Sequence, residues 1–322
     1  MQWSDRIGRR LKPRDLHVFL AVAEKGNMAK AAEQLAISRP VVSKTIAELE
    51  HTLGVRLLDR TPKGVEPTLY GRALLKRSLA VFDELRQSVS DIEFLANPSA
   101  GELRVGFAEV PAAGLVPAAI DRLTRRYPRM RVRTEQGGIG TLLDFLRDRR
   151  CEVVVARLLS PEPDMNFEPV HYDQLFVVVG PRSKWAHQRR IGLADLAEEP
   201  WIQSPPEMEP GSPTLAAFRA AGLESPRVVV LSASLNLRYG LLATGRFLTM
   251  IPDSALHYGP RRAPIRILPI KLPRWHVPTC VVTLKGRTLS PMAQLFIDSL
   301  HELTKPLAKT ERRGSRRAGR PD

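Results

Sequence analysis

Residues Ala31 to Thr68 read AAEQLAISRPVVSKTIAELEHTLGVRLLDRTPKGVEPT, and this stretch decides the fold of the first part of the chain. Just upstream, Leu16, Phe19, Leu20 and Ala23 recur at helical intervals, so the segment from about Arg14 to Lys25 is expected to bury one helical face. Gly26 suits the left-handed position that ends such a helix. Asn27 suits the cap of the next one, whose inward side is Ala31, Ala32 and Leu35. Small residues there let two short helices cross closely. Ala36 and Ile37 make a turn, with Ile37 plugging the core. Ser38 is placed to cap a third helix, and Pro40 falls in its first turn, where a missing N–H is harmless. Val42, Ile46, Leu49 and Leu53 point inward, leaving Arg39, Val41, Ser43, Lys44 and Glu48 on or near the outer face. Gly54 stops this helix. Leu57, Leu58 and Val65 suit two short strands, joined by the turn Thr61-Pro62-Lys63-Gly64.

Two short helices about a tight turn, a helix before them and a basic hairpin after them make a winged helix-turn-helix, expected over residues 10–68. In that unit the second helix of the pair enters the major groove with its N-terminal residues nearest the bases. Ser38, Arg39, Pro40, Val41, Ser43 and Lys44 occupy that end, where a helix N-terminus also favours a phosphate. Arg60 and Lys63, on the hairpin, are placed to reach the backbone or the neighbouring minor groove. The alternative is a helical core with a solvated charged face.

The stretch resembles the LysR-type bacterial transcriptional regulators. The resemblance rests on Phe19, Ala31-Ala32, Leu35, Ser38-Arg39-Pro40, Val42-Ser43, Ile46, Leu49-Glu50, Leu53-Gly54, Leu57-Leu58, Arg60, and Thr68 with Gly71. It is dense over about sixty residues and runs more loosely to about Leu303. Asn27 stands where the family commonly has serine, one cap for another, and Leu58 where phenylalanine is usual.

Composition agrees. A chain of 322 residues has room for about two domains with sizeable cores. Its formal net charge of +15 favours an acidic polymer as partner. Much of that charge sits at the end, where seven lysines and arginines between Lys305 and Arg320 face only Glu311 and Asp322. Such a run reads as a solvated, disordered tail over residues 304–322. The two cysteines, Cys151 and Cys280, lie in or beside apolar runs and read as buried thiols, not as a disulfide or metal framework. The opening MQWSDRIGRRLK lacks the apolar core of a secretory signal, and no apolar run approaches bilayer length. A soluble cytoplasmic protein is expected, with no membrane partner.

After the hairpin, Thr68 can cap a long helix over residues 69–97. Leu75, Phe82, Leu85, Val89 and Ile92 fall near a heptad seam, with Ser78 its weak step. No intrachain neighbour for this seam is evident, so a helix of a second copy is the expected partner. The resemblance implies that this helix makes a dimer, within a homodimer or homotetramer, that reads a pseudo-palindromic operator in double-stranded DNA. Asn97-Pro98-Ser99-Ala100-Gly101 then breaks it with a hinge.

Beyond the hinge, strands alternate with helices. Strands are expected at Leu103–Phe107, Met130–Thr134, Cys151–Ala156, Leu175–Val179, Trp201–Gln203, Arg227–Leu231, Phe247–Ile251 and Thr279–Leu284. Helices are expected at Leu115–Tyr127, Leu142–Arg149, Leu193–Leu196, Thr214–Ala221, Leu235–Ala243 and Pro291–Leu303. The alternation implies parallel sheets with crossover helices. The fold class is therefore multidomain α/β: a winged helix-turn-helix, a linker helix and a domain over residues 101–303. The resemblance implies that this domain is two-lobed and like a periplasmic binding protein, with one lobe at about 101–174 and 278–303 and the other at about 175–277.

Ligands of open α/β sheets bind beyond the carboxyl ends of strands. That rule selects Glu109 after the first strand of the domain, and Gln203 and Ser204 after the Trp201 strand. Ser232 and Ser234 precede a helix, and the resemblance places Thr249 at the cleft. Singly, each serine also reads as an ordinary cap. The set Glu109, Gln203, Ser204, Ser234 and Thr249 contains no arginine or lysine, which suggests a small-molecule effector rich in hydroxyl or amide groups, with an anionic carboxylate only if helix N-termini supply the compensating charge. Phe247 stands where the family normally has glycine, which implies a narrowed cleft or a repacked lobe interface.

No catalytic set appears. The seven histidines show no ligand spacing, and Gly137-Gly138-Ile139-Gly140 lacks the rest of any phosphate fingerprint. No cofactor, metal or enzyme activity is expected. Two other classes remain: a DNA-processing enzyme, which needs an acidic metal cluster or nucleophile, and a cytoplasmic solute-binding protein, which leaves the reader helix unexplained.

Overall fold

The computed structural model describes residues 11–61, 64–157, 162–258, 265–273 and 278–318, the last thirteen of these by backbone alone. The chain divides into two compact units, residues 1–89 and 90–322.

In the first unit, helices α1 (Pro13–Lys25), α2 (Met28–Gln34) and α3 (Arg39–Leu53) precede a two-stranded hairpin of β1 (Leu58–Thr61) and β2 (Gly64–Pro67). The start of the long helix α4 (Leu69–Ala96) follows. The local devices act as their residue types require. Gly26 and Gly54 end α1 and α3 at φ 59° and 73°, and the Asn27 side chain accepts from the amides of Ala29 and Lys30. Ala36 makes the turn at φ 51°, a left-handed conformation rare outside glycine. The core gathers Phe19, Val22, Ala31, Ala32, Val42, Ile46, Leu49, Leu57 and Leu58, with Ile37 packed against it.

Three expectations need correction here. The buried arc of α1 includes Val18, Ala21 and Val22, whereas Leu20 and Ala23 are half-buried, because the arc centres on Phe19 and Val22. Ser38 stands at the start of α3 but its side chain makes no capping bond. Most important, Leu75 and Phe82 are not waiting for a second chain. Both pack against the core of their own unit, with Leu74 beside them. Ser78, the weak step of the supposed seam, is buried on that same inward side. The helix follows its own core through its first half because Gly71 lets it: a Cβ there would meet the Leu57 carbonyl oxygen at 2.0 Å. Of the five seam residues only Leu85, Val89 and Ile92 are exposed, and Val81 and Leu95 join them.

The second unit contains two five-stranded sheets. The first has the order β4-β3-β5-β12-β6, from β3 (Ala100–Phe107), β4 (Arg129–Gln136), β5 (Val153–Arg157), β6 (Met165–Tyr172) and β12 (Pro278–Leu284). The second has the order β11-β7-β10-β8-β9, from β7 (Leu175–Val179), β8 (Trp201–Gln203), β9 (Val228–Leu231), β10 (Leu248–Pro252) and β11 (Arg266–Ile267). The chain passes to the second sheet between Tyr172 and Leu175 and is back in the first by Pro278.

Both sheets are mixed, which corrects the parallel reading. β3 runs parallel to β4 and β5, but β12 is antiparallel to β5 and β6, and β7 is antiparallel to β10 and β11. The antiparallel members are those where the chain changes sheet, since no crossover helix intervenes there. Strand β6 is not among the expected strands, and Pro169 lies in its interior. It is tolerated because β6 is an edge strand and its pairing with β12 shifts register between Thr279 and Cys280, opposite His171 and Pro169. Pairing of β3 with β4 begins at Ala100, so the expected hinge shortens to Asn97–Ser99, where the Asn97 side chain accepts from the Ser99 amide at 3.1 Å.

Helices α5 (Glu109–Ala112), α6 (Leu115–Arg126), α7 (Ile139–Arg147), α8 (Pro213–Ala220), α9 (Leu235–Ala243), α10 (Asp253–Tyr258) and α11 (Pro291–Ala318) complete the unit. The backbone of α11 is helical to Ala318, so residues 304–318 of the expected disordered tail continue a helix instead. Its lysines, arginines, leucine and alanines are strong helix formers.

Candidate functional site

The exposed end of α3 is built from the core outward. Val42, Ile46 and Leu49 are buried, which turns Arg39, Pro40, Val41 and Lys44 to solvent and leaves Ser43 half-exposed. Ser38 is exposed too, and it spends no side-chain oxygen on the first-turn amides. That helix N-terminus therefore faces solvent uncapped by its own serine, with Arg39 beside it. Lys44 lies 3.8 Å from Glu48, with both side chains solvated, so the pair restrains little.

The hairpin is locked to α3 by a residue whose role the sequence did not disclose. The Glu50 carboxylate accepts from the amides of Leu57 at 2.7 Å and Leu58 at 3.2 Å. The far strand is held by the Val65 amide, which donates to the Gly26 carbonyl at 2.8 Å. Arg60 is exposed on β1 opposite Val65. Lys63 lies outside the described residues. Thr68 caps α4, accepting from the Gly71 amide at 3.0 Å and donating to the Arg56 carbonyl.

In the second unit, four of the expected cleft residues converge around a side chain that was not expected. Arg238, on α9, is buried and uses all its donors. Nε and Nη2 donate to the Ser232 carbonyl at 3.1 and 2.9 Å. Nη1 donates to Thr249 Oγ1 at 3.0 Å and to Glu207 at 3.3 Å, and Nη2 donates to Glu207 at 2.8 Å. The Glu207 carboxylate also accepts from the Ser204 amide at 2.6 Å, and Thr249 donates to the Ile202 carbonyl at 2.7 Å. The expectation of a set without arginine is thus wrong. An arginine sits at its centre, but a glutamate neutralises it.

Glu109 joins the other side of this arrangement. It opens α5 at the end of β3, and its Oε1 accepts from the Leu235 amide, in the first turn of α9, at 2.7 Å. Its other oxygen accepts from Gln136 Nε2. Ser234 caps α9, accepting from the Leu237 amide at 3.3 Å, while its own amide donates to Ser232 Oγ at 3.2 Å.

Gln203 does not join the group. Strand side chains alternate, so Gln203 shares the face of Trp201, which packs against Phe218 of α8. Thr249 takes the opposite face from Leu248 and Met250, both of which lie in Trp201's cluster. Gln203 is fully buried, and neither of its amide atoms has a partner among the described residues. Phe247 is buried at the entry to β10.

A third cluster lies where the chain passes between the sheets. His171 Nε2 is 3.1 Å from Asp253, whose carboxylate also accepts from the Gln174 amide at 3.0 Å. Asp173 accepts from Ser254 Oγ and amide and, at 2.7 Å, from Thr279 Oγ1. Burial pushes the Asp173 carboxyl above its usual range, against the pull of Arg157 and these donors. Burial also raises Asp253, but the His171 ring and the Gln174 amide outweigh it and hold that carboxyl below its usual range. The donor atoms of His171, Asp173 and Asp253 lie within 4.8 Å of one another, close enough to suggest a cation. Those oxygens already take protein donors, so the cluster reads as a hydrogen-bonded tie.

Both cysteines are buried, and burial pushes the Cys151 thiol up to about 11. No helix among the described residues is long and apolar enough to cross a membrane.

Residues 13–72 match the family described as bacterial regulatory helix-turn-helix protein, lysR family, and residues 96–305 match the LysR substrate binding domain. Among curated relatives, the SDS degradation transcriptional activation protein of Pseudomonas sp. (strain ATCC 19151) is 32% identical over 292 residues, covering 87% of this chain and 92% of its own length. The HTH-type transcriptional regulator TfdS of Cupriavidus pinatubonensis (strain JMP 134 / LMG 1197) is 30% identical, covering 88% and 96%. The crystal structure of CbnR, a LysR family transcriptional regulator, shares the fold with a TM-score of 0.62 at 24% identity, over 92% of this chain and all of that one. Full-length CbnR complexed with its target DNA superposes with a TM-score of 0.55.

Proposed function

Because this chain belongs to the LysR family of transcriptional regulators, we propose that α3 reads operator bases and that a small molecule held between the two sheets of the second unit controls that reading. The observation that carries the first half is the N-terminal end of α3, where Arg39 and Ser43 face outward beside amides that Ser38 does not cap. Such an end accepts a phosphate while its side chains reach base edges. Arg60 of the hairpin, with Lys63 beside it in sequence, supplies backbone contacts that carry no sequence information. The exposed stripe of Val81, Leu85, Val89, Ile92 and Leu95 on α4 supports pairing with a second copy, which places two reader helices on a pseudo-palindrome.

The second half rests on the group of Ser204, Ser234, Thr249 and Glu109 at strand ends and helix starts. A ligand there acts only through different affinities for different arrangements of the two sheets. Binding to the operator and to random DNA, compared in wild type, Arg39→Ala and Ser43→Ala, tests the reader. Each substitution is expected to cost about 1–3 kcal/mol of discrimination. Unchanged discrimination in both variants removes α3 from base reading. Family membership speaks for a regulator and not an enzyme, and a soluble cytoplasmic location is consistent with it.

A further inference from the structure

We propose that Glu109 is a tethered internal anion, filling the carboxylate seat at the start of α9, so that the cleft takes neutral or cationic ligands that bring donors and turns away small organic acids. The inference deepens the ligand-binding reading above and rests on it.

Three observations carry it. First, three amides at the start of α9 are already committed. The Leu235 amide goes to Glu109, the Leu237 amide to Ser234 Oγ and the Ser234 amide to Ser232 Oγ. A helix N-terminus stabilises negative charge, and here a carboxylate reaches it from a residue 126 positions away, on the other sheet's side of the unit. Second, the cation of the group is spent. Arg238 has five N–H donors, and all are directed at the Ser232 carbonyl, Thr249 and Glu207. No guanidinium edge remains for an incoming acid. Third, the charges of the group are Glu109, Glu207 and Arg238, a balance of one negative. An entering carboxylate meets an unneutralised carboxylate on the seat it needs. An amine or polyol meets free acceptor capacity, because each Glu109 oxygen has a second lone pair.

Removing the tethered anion should open the seat to a free one. The test uses the full chain as wild type, Glu109→Ala, Glu109→Gln and the double variant Glu109→Ala/Leu235→Pro. Proline is tolerated at the first helical position and removes the amide that forms the seat. Thermal unfolding followed by tryptophan fluorescence is compared in sodium acetate and sodium chloride of equal ionic strength. Acetate should raise the melting temperature of Glu109→Ala saturably, by about 2–4 °C over chloride. Wild type, Glu109→Gln and the double variant should show no such rise. If Glu109→Ala does not fold in chloride, acetate should restore its folding. A rise of equal size in wild type, a rise that survives Leu235→Pro, or no acetate effect on Glu109→Ala overturns the proposal. Operator binding by the same proteins reports separately on the regulator reading, which stands or falls on α3.

Discussion

Replacing Arg238 by methionine tests the centre of the second unit. The side chain is 3% exposed and its partner Glu207 13%, so both charges lie out of bulk water. Methionine keeps most of the stem but none of the donors, leaving Glu207 without its bidentate partner and Ser232 without the two donors to its carbonyl. Breaking a buried pair from one side costs about 3–5 kcal/mol, chiefly because the remaining charge is uncompensated. Adding Glu207→Gln removes that charge while keeping an oxygen for the Ser204 amide. The double variant should then lose only ordinary hydrogen bonds, about 1–2 kcal/mol. Urea unfolding provides the assay, with Trp201, buried against Phe218 at a ring separation of 5.3 Å, reporting on the second sheet. The single variant should move the midpoint down by about 1–2 M, and the double variant should recover most of it. If the two single effects add to within about 0.5 kcal/mol, the residues are not energetically coupled and the argument fails.

Three further outcomes follow from the geometry. Leu85→Asp with Val89→Asp should dissociate the oligomer, as read by sedimentation, because both side chains are exposed within one chain and have no role in its core. Leu75→Ala should instead lower stability by about 2–4 kcal/mol and leave the oligomer intact in sedimentation, since that leucine packs inward. The contribution of Asp253, whose folded carboxyl titrates below its unfolded value, is full above the ordinary carboxylate pKa and is lost as pH falls through the folded one. Asp253→Asn should therefore flatten the acid limb of the stability curve below about pH 4, and an unchanged limb would refute the assignment.

The first unit was legible because its signals are local. Gly26, Asn27, Ala36 and Gly54 each act within one turn of their own position, and the apolar spacing names the core directly. What the sequence cannot distinguish is a stripe that faces its own domain from one that faces a partner. Leu75 and Phe82 keep the same helical spacing as Leu85 and Val89, and the break between the two roles lies in Gly71 and Ser78, which let the helix hug the core. In the second unit the missing information is long-range. Arg238 within LNLRYGLLA reads as a solvated charge, and only Glu207, 31 residues earlier, makes it a buried one. One signal was available: Ser204 and Glu207 stand three apart, the spacing of a reciprocal cap, which marks Glu207 as fixed at the end of β8. The tie between His171 and Asp253 spans 82 residues and has no comparable trace.

Among the contacts that bridge the sheets of the second unit are two polar ties of unequal burial. At the crossing, Asp173 binds Ser254 and Thr279 in a buried group, while Asp253 binds His171 and the more exposed Gln174 amide, and a buried donor left without its partner costs about 1–3 kcal/mol. At the other tie, the Glu109 carboxylate reaches the buried Leu235 amide from a half-exposed position, where solvent competes for the carboxylate. Thermal opening should begin at the weaker tie and leave the stronger as the pivot. Amide hydrogen exchange distinguishes the two directly. The Leu235 amide should exchange by a local opening well before the buried Ser254 amide, which is held by Asp173. In Glu109→Gln the exchange of Leu235 should quicken further, whereas that of Ser254 should not change. Equal protection at both amides would mean that the sheets open only by unfolding, and Glu109 would then be a fixed part of the interface.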